Sequence, residues 1–137
     1  MLYTQLIYGT MIITAVVIFH VASLVFLARL LKRWHDNYSL FDNVKVAAVG
    51  LGTSVFFIIG INTIEASFWA YIYLLLGEFQ TINDALYFSI STATTVGYGD
   101  VVMSEQWRLL SSLEAMGWWL LFGPSTVFFN GINALCL

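Results

Sequence analysis

Apolar residues crowd into three long runs, from about Leu6 to Leu31, from Val44 to Leu76 and from Leu109 to Leu137, with polar residues gathered between them. A hydrocarbon core about 30 Å thick is crossed by about 20 helical residues, so each run is long enough to span a bilayer. At about 1.5 Å per residue the second run would extend roughly 50 Å as one helix, beyond that thickness. Its bilayer part is expected at about Val46 to Ile64, which leaves Phe68, Trp69, Tyr71 and Tyr73 at or past the far interface, where amphipathic rings are favoured. After it, Thr81-Ile82-Asn83-Asp84 has the form of a helix N-cap, and Leu86, Tyr87, Phe88 and Ile90 carry a short helix over 82–93. That helix is too short to span. Non-helical backbone at membrane depth is tolerated only where protein buries it or it lines a water-filled path. The pattern therefore predicts an all-α membrane protein with three transmembrane helices, and a re-entrant short helix and loop between the second and third.

Composition agrees with this reading. The 137 residues are 60% hydrophobic and 9% charged, with a mean hydropathy of +0.85, too apolar for a soluble domain. Five Lys and Arg against a net charge of −3 leave no basic footprint for nucleic acid. The single cysteine, Cys136, has no internal disulfide partner and reads as a small apolar filler. The first run lacks a basic leader and exceeds the core of a cleaved signal, so a retained helix is expected. Arg29, Lys32, Arg33 and Lys45 bracket the link between the first two runs and mark that side as cytoplasmic, with Arg108 the exception. The N-terminus and residues 77–107 then lie outside and the C-terminus inside.

One heptapeptide carries the candidate chemistry: Thr94-Thr95-Val96-Gly97-Tyr98-Gly99-Asp100. Backbone carbonyls can replace the water shell of a desolvated cation if successive ones face a common axis. An ordinary strand turns them alternately to opposite sides, so aligning them needs residues that accept positive φ, a role Gly97 and Gly99 suit. The C-terminal end of the short helix carries partial negative charge, which favours a cation beside it.

From about Val44 onward, the order of long helix, short helix, Thr-Val-Gly-Tyr-Gly-Asp and long helix resembles the pore module of tetrameric potassium channels. The resemblance covers about two thirds of the chain. It implies a module over 44–137 (outer helix 44–76, pore helix 82–93, filter 95–99, inner helix 108–137), with 1–43 an additional transmembrane helix and cytoplasmic linker. It further implies ion sites lined by Thr95, Val96, Gly97, Tyr98 and Gly99, a homotetramer, and passive passage of K+ through the plasma membrane, with membrane lipids around it. K+ enters as the permeant ion, with no cofactor and no enzymatic step. Tyr98 favours potassium over a general cation pore, by analogy with related non-selective channels. Non-conducting regulatory subunits and weakly selective cation channels remain alternatives. The first helix lacks repeated arginines, so voltage sensing is not expected. No long polar tail follows Leu137, so control by ligand would need a partner, whose identity is unknown.

Several residues outside the filter invite a role. Asp100 resembles the family aspartate that braces the outer mouth, but the position nine before it, acidic in some relatives, is Ser91, which leaves Tyr87 as the candidate partner. Glu65 either braces the filter from behind, pairing with Arg108 or pore-helix hydroxyls, or is exposed at the interface. Glu114 is expected to make a structural hydrogen bond, and His20 to be a neutral histidine bonded to a neighbouring helix rather than a pH sensor. Gly123-Pro124 interrupts the inner helix as either a gating hinge or a fixed kink. Asn130 and Asn133 suit helix–helix contact, and Trp118-Trp119 packing.

Overall fold

The computed structural model describes residues 2–38 and 44–135, all of its regular structure helical: α1 (Leu2–Tyr38), α2 (Val44–Leu75), α3 (Ile82–Ala93) and α4 (Arg108–Leu135). The side chains of Lys45 and Asn133, and Cys136 altogether, lie outside the described parts. Among the described residues two helices are long and apolar enough to cross a membrane, through Tyr3–Trp34 and Ala48–Leu75. The third expected span, α4, is not among them, because Arg108, Ser111, Ser112, Glu114, Pro124 and Ser125 dilute its apolar content.

Contacts between α1 and α4 advance together along both helices, so the two run parallel. The Gln5 side chain donates to the Gln106 carbonyl just before α4. Further along, Gly9 meets Leu113, Ile13 meets Gly117, His20 meets Ser125 and Leu27 packs with Phe128. Helices α1 and α2 run antiparallel, since His20 meets Glu65 whereas the later Phe26 stacks on the earlier Phe57 at 6.3 Å. The N-terminal end of α1 therefore shares a side with the segment joining α2 to α4.

Short helix α3 leans chiefly on α2. Trp69, Ala70 and Tyr73 form one buried face of α2, and Ala85 of α3 and Leu110 of α4 close over it. The Tyr73 ring meets Phe88 edge-on at 5.5 Å and Phe79 at 6.1 Å. Burial divides the aromatic group expected at the far interface. Trp69 and Tyr73 are buried in protein, and only Phe68 and Tyr71 stay exposed, because positions 69, 70 and 73 share the helical face that α3 covers.

Both ends of the α2–α3 connection are set by local chemistry. Gly77 adopts φ +74, and the Glu78 and Gly77 amides donate to the Tyr73 and Leu74 carbonyls, closing α2 with the paired bonds of a Schellman turn. Thr81 then caps α3, its hydroxyl accepting from the Asp84 amide at 3.1 Å. Within the long helices, hydroxyls such as Thr10, Ser54, Thr63 and Ser67 donate to the carbonyl four residues back, which satisfies them where water is absent.

Candidate functional site

The chain leaving α3 folds back onto the end of that helix. The Thr95 amide donates to the Thr92 carbonyl at 3.0 Å, and the Val96 and Gly97 amides both donate to the Ser91 carbonyl, at 3.1 and 3.3 Å. In a trans peptide the carbonyl points opposite to the N–H of the next residue. Two consecutive amides aimed at one oxygen therefore turn the Thr95 and Val96 carbonyls together, away from α3. Positive φ values at Thr95 (59°), Gly97 (51°) and Gly99 (78°) supply the alternation this requires. Thr95 is the surprise among them. A β-branched residue in the left-handed region is strained, a state that persists only where surrounding contacts hold it. No sequence rule flagged Thr95, since its side chain argues for ordinary strand geometry. Residues 94–100 are all exposed in the single chain.

Ser91 serves this segment through its backbone carbonyl. Tyr87, one helical turn earlier, donates its hydroxyl to Asp100 Oδ2 at 2.8 Å, and the Val101 amide donates to Asp100 Oδ1 at 3.0 Å. Asp100 is thus held from α3 and by its own next residue. The hydrogen bond to this carboxylate raises the Tyr87 pKa above its ordinary value of 10.0. Farther out, Glu78 accepts from both the amide and the hydroxyl of Ser104 at 2.7 Å, tying the turn after α2 to the loop before α4.

Behind the segment lies a buried carboxylate. Glu114 of α4 accepts from the Tyr73 hydroxyl of α2 and the Ser89 hydroxyl of α3, each at 2.5 Å, and from the Trp118 indole at 3.2 Å. Three donors meet one carboxylate, the arrangement that makes burial of its charge tolerable. Glu114 is thereby a junction of three helices, with Ser89 two residues before the carbonyl that orients Val96 and Gly97.

Glu65 is placed differently from both sequence expectations. It reaches neither Arg108 nor the α3 hydroxyls and is not at an exposed interface; it is 2% exposed and faces His20 of α1, with Nδ1 at 3.0 Å from Oε1 and 3.2 Å from Oε2. Arg108 is solvated and makes a loose 3.5 Å pair with Glu105. An ionisable group in an apolar helix signals that a partner exists, and the first helix held one in His20. His20 Nε2 lies 3.0 Å from the Ser125 hydroxyl, beside Gly123-Pro124, where α4 continues as helix through the proline. Trp118 is buried and Trp119 exposed, and Asn130 is exposed in the single chain. Among the described residues no group of His, Cys, Asp and Glu is arranged to hold a metal ion through side chains.

An ion channel family model matches residues 51–132, which takes in most of α2, all of α3, the 95–99 segment and most of α4, and leaves α1 outside. No curated protein and no solved structure matches the chain. The match spans more than half of the sequence, over the elements that hold the carbonyl row, and the chain belongs to the ion channel family.

Proposed function

We propose that the chain is one subunit of a potassium-selective channel, in which four copies surround an axis and the carbonyls of residues 95–98, with the Thr95 hydroxyl, replace the water around K+. The observation that carries this reading is the double donation of the Val96 and Gly97 amides to the Ser91 carbonyl, which turns successive carbonyls to one side. One strand cannot surround an ion. The exposure of 94–100 in the isolated chain fits a segment completed by copies of itself around a closed axis. Tyr98 projects from this segment, 73% exposed, which leaves its ring free for neighbouring protein to cover in such an assembly.

Helix α4 is the third span in this reading. Its 28 residues rise about 42 Å, and its polar positions suit a helix facing protein and a water-filled path rather than lipid. The parallel course of α1 and α4 puts the two termini on opposite sides, and Arg29, Lys32 and Arg33 at the end of α1 favour a cytoplasmic C-terminus and an external N-terminus in the plasma membrane. Passage is passive, down the gradient of K+.

Flux from liposomes loaded with K+ tests the proposal, with Na+ as the competing ion, barium as blocker and Gly97→Ala as control. Potassium flux that exceeds sodium flux and is lost in Gly97→Ala is expected. Equal permeability to the two ions would reduce the protein to an unselective cation channel, and absence of flux would leave a non-conducting subunit.

A further inference from the structure

Three helices meet at His20, and none of the residues involved belongs to the 95–99 segment. The imidazole is 1% exposed, with the Glu65 carboxylate of α2 on one nitrogen and the Ser125 hydroxyl of α4 on the other. Ser125 Oγ also lies 3.0 Å from the Leu121 carbonyl, to which it donates. Its one proton being used there, the oxygen accepts from His20, so Nε2 carries hydrogen. The contact between Nδ1 and Glu65 then needs a second hydrogen, held on the ring or on the carboxyl. With it the pair is neutral as a unit. Without it a ring lone pair faces a carboxylate.

We propose that His20 and Glu65 form a proton-binding site whose shared proton sets the direction of the His20–Ser125 bond, so that its loss as pH rises takes the Ser125 hydroxyl from the Leu121 carbonyl and loosens α4 at the Pro124 turn. On losing that proton the ring keeps its remaining hydrogen on Nδ1, toward Glu65. Nε2 then presents a lone pair, and the Ser125 hydroxyl satisfies it only by leaving the Leu121 carbonyl. That carbonyl follows Leu120, whose usual amide partner in the helix is replaced by the proline nitrogen. The Leu121 carbonyl then keeps only its helical amide bond, next to a Leu120 carbonyl that has none, at the place where a helix bends most readily.

The ring stands between the carboxylate and the hydroxyl, which makes His20 the group to follow. The charged and titratable groups on the helices packed around it are few. Glu65 is supplied by α2. Glu114 of α4 lies about three turns nearer the other end and is engaged by Tyr73 and Ser89. Arg29, Lys32 and Arg33 of α1 itself are farther along that helix. The only charged residue of α3 is the exposed Asp84.

Two measurements on the full chain in lipid bilayers test the proposal. Ring nitrogen resonances of His20 report its protonation, and amide hydrogen exchange over 125–131, corrected for its intrinsic pH dependence, reports the helix. Exchange is expected to rise by roughly fivefold, the worth of one hydrogen bond, over the range in which His20 loses its proton. Ser125→Ala should preserve the titration of His20 and abolish the step in exchange, and Glu65→Gln should displace the titration. An exchange profile without a step in the parent, or a step that survives Ser125→Ala, would overturn the proposal. The consequence for K+ flux rests on the channel reading above. A flux that changes with the same midpoint supports both, whereas an exchange step in liposomes that pass no K+ at any pH supports the proton site and removes the channel.

Discussion

The Tyr87 hydroxyl reaches Asp100 just past the end of the carbonyl row, joining α3 to the residue that follows Gly99. Tyr87→Phe removes this donor and leaves Asp100 with the Val101 amide. The expected result is an unchanged fold and a flux that decays faster when external K+ is lowered, read in the liposome assay. Asp100→Asn keeps an acceptor for Tyr87 and should decay more slowly than Tyr87→Phe. The pH dependence follows from the raised pKa. The bond is intact below the ordinary tyrosine value of 10.0 and is lost only as the pH climbs through the higher folded value. Tyrosinate absorbance should therefore show a late-titrating component from Tyr87 in the parent that is missing from the difference spectrum of Tyr87→Phe.

Glu114 is held by three donors, so an amide in its place is mismatched. Glu114→Gln offers one acceptor and one donor group to partners that all donate, and leaves a buried polar group unpaired, at a cost of about 1–3 kcal/mol. Thermal unfolding in detergent measures the loss. In the double variant with Tyr73→Phe the two losses should sum to less than their separate values, since the partners share one network.

The crossing of α1 and α4 depends on absent side chains. A Cβ at Gly9 would lie 2.4 Å from Leu113 Cδ1, and one at Gly117 would lie 3.2 Å from Ile13 Cγ1. Gly9→Val should cost about 1–3 kcal/mol through overpacking, and Leu113→Ala introduced alongside should return part of it. The same unfolding measurement checks both, and equal losses with and without Leu113→Ala would contradict the contact.

Thr95 separates strain from ion binding. Thr95→Gly relieves a left-handed β-branched residue, worth about 1–2 kcal/mol, while removing a hydroxyl proposed to face the ion. Stability should hold or rise while the preference for K+ over Na+ falls. A variant that retained full selectivity would show that the hydroxyl is dispensable.

What the amino-acid pattern revealed depended on whether the physics was local. Thr81 and Asp84 announced the start of α3 because a cap is made within four residues, and the need of Gly97 for positive φ is a property of one residue. Partnerships between helices were harder to read. Glu65 in an apolar run demanded a partner, but whether that was Arg108 or His20 depended on which face of α2 met which helix, and three apolar helices of similar composition do not declare their neighbours. That protein covers Trp69 and Tyr73 but not Phe68 and Tyr71 was hidden for the same reason: such aromatics differ only in what packs over them. Glu114 could be read as a structural group, though not as the meeting point of Tyr73, Ser89 and Trp118.

The parallel seam between α1 and α4 has a mechanical consequence. A swing of α4 about Pro124 must either drag α1 through the surrounding lipid or peel the two apart near Ser125. Dragging both displaces more acyl chain than one helix would, so the stiffness and thickness of the host membrane become part of the load against any such swing.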